Sequence, residues 1–375
     1  MHIFAVARAV HGIEPLVATE IRRSRLGVVR GLRHREVWFE ATDETGLQGL
    51  RTADDVLLGA AVVGGVGHDR AALRRLAGAA RELDTGRLAG KLEGAARPAG
   101  GLEVSASFVG RRNYSRFEIE DAVGTELARA LRLPYHSRRG GGRPPGDAMS
   151  WRVTIEGDQA LIALRPADRP LHRRPYKTAS IRGTLHPPVA AAMAELARLE
   201  GARTVLDPCC GAGTTLIEAH ALLQASAAPR PRLLGFDHDP SALAAAAANA
   251  RAALGGGRAS PFGWAVADGG RIPVPDGSAD RVLVNPPWGR QVPPRGLLAG
   301  DLGLLWREVR RVLAADGLAV ALVHEGLPRG FAVEEAVTVS LSGQHPVIAV
   351  LRKQATAGGR SGGGPLRRRG RASPG

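Results

Sequence analysis

The chain has 375 residues, 44% of them hydrophobic, and two cysteines, adjacent at Cys209 and Cys210. That length suits two or three domains with cores of their own, while the cysteine pair and the lack of any apolar run near the ~18 residues of a membrane span exclude disulfide-rich and membrane-spanning classes and point to a reduced, cytoplasmic protein without a secretory signal. Lysine and arginine number 51 against 36 acids, a formal +15 with only three lysines; the excess lies in the first half and the last twenty residues, so a polyanion met mainly by the first half is expected.

In chain order, IFAVA, GIEPLVATEIRRS, GVVRGL and EVWFEA give a small α+β unit over about residues 1–50. Residues 50–100 are rich in Ala, Arg and Gly and carry no assigned element; VLLGAAVVGGVG within them is too short and glycine-broken to span a membrane. From Gly101, LEVSASFV reads as a strand and RFEIEDAVGTELARALRL as a helix. SWRVTIEGDQALIALRP then gives two strands around a Gly-Asp turn, after the loop HSRRGGGRPPGD.

Residues 203–353 alternate strand and helix. TVLDP, LLGFD, FGWAVAD, RVLVN and GLAVALVHE are strands one to five, and TTLIEAHALLQ, PSALAAAAANARAAL and LLWREVRRVLA are helices. VTVSLSG with PVIAVLRK reads as a closing antiparallel hairpin. This alternation predicts a doubly wound, mostly parallel sheet, whose ligands bind beyond the carboxyl ends of the strands. From about Ala355 the chain is Gly, Arg, Ser and Pro around LRRRGR. With almost nothing to bury it is expected to be a disordered basic tail, either solubilising or a non-specific hold on nucleic acid.

DPCCGAGTT follows strand one and opens a helix, where glycines let backbone approach a ligand and free N–H groups favour an anion. Leu216 breaks the dinucleotide fingerprint and no lysine completes a Walker loop. What remains is a series of strand-end acids: Asp207 at the end of strand one, Asp237 ending strand two and Asp268 ending strand three. Any one alone is commonly a turn former. NPPWG at 285–289 is sharper: Asn285 offers an amide oxygen, Pro286 a carbonyl with no N–H of its own, and Trp288 a ring to stack on a base. Two adjacent acceptors suit an exocyclic amine.

DPCCGAGT together with NPPWG resembles the class I S-adenosylmethionine-dependent methyltransferases of the amino-group type. The pattern D-P-x-C-G-x-G-T is similar to that of RNA guanine-N2 methyltransferases carrying an N-terminal THUMP domain. PLHRRPYK at 170–177 resembles that family's junction, and TLHPPVAAAMAELARL its lead-in helix. Pro175 stands where the junction has glycine, Trp288 where tyrosine is commoner, and Arg290 follows Gly289 directly, where the family's arginine often comes one residue later. The resemblance implies an α/β fold with a C-terminal Rossmann-like class I methyltransferase domain, a seven-stranded sheet closed by an antiparallel hairpin, behind an α+β ferredoxin-like plus THUMP region. The implied divisions are 1–50 ferredoxin-like, 51–168 THUMP-like and RNA-binding, 169–200 junction and lead-in helix, 201–354 methyltransferase, and 355–375 basic tail.

By the same likeness S-adenosyl-L-methionine is the cofactor. Cys210, Gly211, Gly213 and Thr214 would line its methionine end and Asp207 its amine; Asp237, with His238 beside it, would take the ribose and Asp268 the adenine amine. Asn285, Pro286, Pro287 and Trp288 would form the catalytic set. The resemblance names tRNA, gripped at its acceptor stem and 3′ end, as partner; no metal and no membrane are expected, and a monomeric chain is. RNA contacts are expected from Arg111, Arg112, Tyr114 and Arg116, from Arg138, Arg139 and Arg143, and from His172, Arg173, Arg174, Tyr176 and Lys177, since arginines with interleaved tyrosines suit phosphates and bases. The expected reaction is guanine-N2 methylation of position-6 type. The alternatives are the same reaction on 23S ribosomal RNA, adenine-N6 methylation, or an RNA-binding protein with a silent methyltransferase domain.

Overall fold

The computed structural model describes residues 3–84, 100–224, 229–255, 260–289, 292–324 and 326–354. The expected basic tail and Arg290 lie outside them. The first half builds β1 (Ile3–Arg8), α1 (Glu14–Arg23), β2 (Gly27–Arg33), β3 (Glu36–Ala41), β4 (Asp55–Val63), α2 (Ala71–Arg81), β5 (Leu102–Phe108), α3 (Arg116–Leu131), β6 (Met149–Glu156) and β7 (Gln159–Leu164). These strands form one seven-stranded sheet in the order β2-β3-β1-β4-β7-β6-β5, antiparallel except for the β5–β6 pair.

β4 and α2 are the elements that the sequence reading left unassigned. β4 is central: it pairs with β1 on one side and β7 on the other, so the strands of the first 50 residues and the later ones share a sheet. Val56 and Leu58 face the main core, while Leu57 packs on the opposite face with Val6, Leu161 and Ala163. A strand buried on both faces shows a continuous apolar run rather than alternation. α3 starts at a capping box, the Ser115 hydroxyl accepting from the Glu118 N–H and the Glu118 carboxylate accepting from the Ser115 N–H.

The second half builds α4 (Pro187–Leu196), β8 (Thr204–Asp207), α5 (Thr214–Leu223), β9 (Arg232–Asp237), α6 (Pro240–Leu254), β10 (Phe262–Val266), β11 (Ala279–Val284), α7 (Gly303–Val312), β12 (Leu313–Val323), β13 (Phe331–Thr338) and β14 (Val347–Lys353). Its seven strands run in the order β10-β9-β8-β11-β12-β14-β13. β8 to β12 pair in parallel, and β14 runs antiparallel to both β12 and β13. The doubly wound sheet with its closing antiparallel pair is therefore present. One boundary is corrected: the first strand of that pair is Phe331–Thr338, not 337–343. Its exposed Val333, Glu334 and Glu335 hide the strand among charges. Helix α7 likewise ends at Val312, and Leu313 already belongs to β12.

The order reverses between β8 and β11, which are neighbours although β9 and β10 lie between them in the chain. Such a switch point leaves a crevice beyond the strand ends. The two halves pack together: one buried cluster contains Val17 and Ile21 of α1, Val189 and Met193 of α4, and Ile348 of β14. Arg23 adds a two-pronged pairing with Glu195.

Candidate active site

A cleft of about 450 Å³ opens at this switch point. Asp207, Cys210, Gly211, Thr214, Asp237, His238, Asp268, Asn285, Pro286, Pro287 and Trp288 all line it. Gly213 lies just beneath, as the N-cap of α5 with φ +77°; a Cβ there would come within 2.9 Å of the Trp264 ring and 3.1 Å of Ala246. Only glycine turns the chain there without strain.

Asp207 is 1% exposed, its Oδ1 accepting from the Cys209 N–H at 2.9 Å and its Oδ2 from the Thr215 hydroxyl. Burial, with Asp237 adding repulsion, outweighs these bonds and pushes its pKa up to about 7. Asp237 fixes the glycine loop, accepting from the Gly211 N–H at 2.9 Å and the Asp239 N–H at 3.0 Å. His238 Nδ1 stands 3.4 Å from Asp237. Asp268 accepts from the Gly270 and Leu297 N–H groups, both at 2.8 Å, and so ties the loop before α7 to the end of β10. Each carboxylate oxygen keeps a second lone pair for a ligand. Burial pushes the Cys209 and Cys210 thiols up, so both stay protonated. Among the described residues no group of His, Cys, Asp and Glu is placed to hold a metal ion.

The site carries unmet hydrogen-bonding capacity. Asn285 Oδ1 and Thr214 Oγ1 are buried without a partner, and both residues line the cleft. Leaving a buried acceptor bare costs about 1–3 kcal/mol, which a ligand's donor recovers. A buried acceptor on a residue that lines the cleft, with carboxylates at or just beyond three strand ends, fits a cofactor with amine and ribose groups and a second ligand bearing an amine.

Several residues of the site escaped sequence reasoning. The junction segment Ile181–Leu185 forms one wall, and Val292, Pro293, Arg295 and Leu298 another. The walls meet where a Cβ on Gly183 would approach Val292 Cγ2 to 2.2 Å. Asn249 of α6, fully buried, accepts from the Ala179 N–H at 2.9 Å and donates to the Ala179 and Ala212 carbonyls, clamping the junction to the glycine loop. His324, just past β12, stacks on Trp288. None of these sits in the glycine-loop or NPPWG motif; the sequence reading placed His324 inside strand five, whereas β12 ends one residue before it, at Val323.

The expected RNA contacts divide. Arg111, Arg116, Arg143 and Arg173 are exposed. Arg138 and Arg139 are exposed too, paired with Glu103 at 3.3 Å and Asp121 at 2.7 Å. His172 is half-buried on the Asp54 carbonyl, and Lys177 is half-buried. Four others serve the fold instead. Arg112 donates to the Val66, Gly67 and Gly157 carbonyls, and the buried Tyr114 donates to the Gly67 carbonyl. Arg174 and Tyr176 are buried on Glu218 at 3.0 and 2.8 Å. A guanidinium committed to a buried carboxylate is not free for a phosphate.

Residues 174–328 match the RMKL-like methyltransferase domain family. The chain is 33% identical over 272 residues to a tRNA (guanine(6)-N2)-methyltransferase of Thermus thermophilus, covering 70% of this chain and 74% of that one. It is 34% identical over 176 residues to the U6 snRNA (guanine-N(2))-methyltransferase THUMPD2 of Bos taurus, 47% of this chain but 32% of that one. The crystal structure of TrmN from Thermus thermophilus superposes with a TM-score of 0.73 at 29% identity, over 94% of this chain and 100% of that one. No described helix is long and apolar enough to cross a membrane. The match to the first relative over three quarters of its length, on this fold, decides the family: the chain belongs to the class I, S-adenosylmethionine-dependent guanine-N2 methyltransferases.

Proposed function

We propose that the chain methylates the exocyclic N2 amine of a guanine in the tRNA acceptor stem, in the manner of the position-6 enzymes, as a cytoplasmic monomer. The observation that carries the chemistry is the bare, buried Asn285 Oδ1 at the end of β11, beside Pro286 and Trp288. A guanine amine is a poor nucleophile because its lone pair is delocalised into the ring. Accepting its two hydrogens at Asn285 Oδ1 and the Pro286 carbonyl favours a pyramidal nitrogen whose lone pair faces the donor. Trp288 holds the base by stacking, and placement supplies much of the rate.

S-adenosylmethionine supplies, when bound, a methyl group already activated on sulfur. Asp207 would hold its amine, Asp237 with His238 its ribose and Asp268 its adenine, with Cys210, Gly211, Gly213 and Thr214 around the methionine end. No strong base is required of the chain, since the nitrogen becomes acidic only as the new bond forms.

Residues 51–168 act in this reading as a THUMP-like module that grips the acceptor stem and 3′ end. The contacts are the exposed Arg111, Arg116, Arg138, Arg139 and Arg143 of this module and the exposed Arg173 of the junction, supported there by His172 and Lys177. The test is methyl transfer in vitro to purified tRNA and ribosomal RNA. Label in N2-methylguanosine of tRNA alone supports the proposal, label in ribosomal RNA alone moves the substrate, and label in N6-methyladenosine overturns the chemistry.

A further inference from the structure

We propose that His324 is a positioning residue for methyl transfer: its imidazole, laid flat against Trp288, sets the plane on which the target guanine stacks. This rests on reading Trp288 as the partner of the base. β11 and β12 are adjacent parallel strands, so the residues just beyond their ends, Asn285–Trp288 and His324, emerge side by side. The two rings are stacked with 20° between their planes. Trp288 is among the residues that line the cleft and His324 is not; in this proposal the imidazole backs one face of the indole and the base takes the other.

The backing is needed because Asn285–Trp288 is irregular backbone, belonging to no helix or strand. The prolines fix φ at 286 and 287 but leave the torsions of the Trp288 side chain unconstrained. A flat ring behind the indole removes that freedom before the base arrives, so less ordering cost falls on binding. His324 Nε2 is buried without a hydrogen-bond partner, so on that side the ring is held by packing rather than by a bond. Burial also draws its pKa down to about 4, so the ring remains neutral and sets no positive charge beside a site that receives a cationic sulfonium.

The test measures KM for tRNA, kcat and cofactor Kd in the full-length chain for His324→Ala, His324→Phe, His324→Gln and Trp288→Ala, with thermal unfolding as the folding control. His324→Ala is expected to raise KM for tRNA by about 2- to 10-fold, the scale of one aromatic pair, with cofactor Kd unchanged. His324→Phe, flat but unable to hydrogen-bond, is expected to restore it, and His324→Gln is not. Normal KM and kcat in His324→Ala beside a raised KM in Trp288→Ala overturns the inference alone, as does rescue by Gln and not Phe. If Trp288→Ala itself has no effect, the reading of the base site fails and takes the inference with it.

Discussion

The two seven-stranded sheets treat their polar side chains differently. Around the C-terminal sheet, the buried side-chain atoms without partners among the described residues belong to Thr214, Asn285 and His324, and all lie in the cleft or beside it. In the N-terminal half such atoms belong to Arg112, Glu120, Trp151, Arg152 and Gln159, none of which lines the cleft. Its surface arginines instead pair with acids, Arg138 with Glu103 and Arg139 with Asp121. Chemistry needs atoms held ready and unpaired at one spot, whereas gripping a polyanion needs only exposed charge spread over a surface. In the function proposed above, the C-terminal half would serve the first task and the N-terminal half the second.

Glu218 is where the halves are tied, and breaking it should have the largest effect. It is fully buried on α5, receiving Arg174 at 3.0 Å, Arg51 at 2.8 Å and the Tyr176 hydroxyl at 2.8 Å. Glu218→Ala strands two guanidiniums and should cost about 3–5 kcal/mol in urea unfolding. A loss below about 0.5 kcal/mol would mean that the shared apolar cluster, not Glu218, holds the halves together. Next, Asn285→Ala should lower kcat by about 10²–10³-fold, the scale of a deleted transition-state hydrogen bond, without weakening cofactor binding. Lost cofactor binding in equilibrium dialysis would assign Asn285 to the wrong ligand.

Asp207 sharpens the comparison through pH. Its folded pKa of about 7 exceeds the ordinary 3.8, so the folded chain binds the proton more tightly than the unfolded one. The resulting destabilisation is absent below the ordinary value, grows as pH rises to about 7, and is constant above. Without cofactor, the Tm advantage of Asp207→Asn over the parent should therefore widen from pH 5 to 7 and then level. A constant difference would show that the carboxyl is ionised throughout. The smallest effect is expected at the RNA surface. Arg111→Glu with Arg116→Glu should weaken tRNA binding and flatten its log-salt slope by roughly 1 per arginine removed, leaving cofactor affinity alone; an unchanged slope would remove these residues from the interface. Arg112 is unsuitable for this test because its guanidinium holds three backbone carbonyls in place.

The C-terminal half was legible up to β12 because the local signals there largely agreed with the fold, while the charges of β13 hid that strand. Pro240 starts α6 at the position read from the sequence, Gly213 marks the turn into α5, strands β8 and β9 end at Asp207 and Asp237, and Asn285 directly follows the end of β11 at Val284. The N-terminal half hid β4, whose Gly59, Ala60 and Ala61 lack β-forming side chains and whose two buried faces remove alternation. Arginine-rich stretches hid the division of labour among their members: Arg173 and Arg174 are neighbours, yet one is exposed and the other buried on Glu218. His324 was not legible, because its role arises from the adjacency of β11 and β12, which local sequence does not encode.

The most direct test of the central claim is nucleoside mass spectrometry on separately purified tRNA and ribosomal RNA from cells with and without the gene. The account predicts that N2-methylguanosine disappears from a tRNA acceptor-stem fragment and is unchanged in ribosomal RNA. N2-methylguanosine unchanged in tRNA, whether ribosomal RNA changes or not, would contradict it.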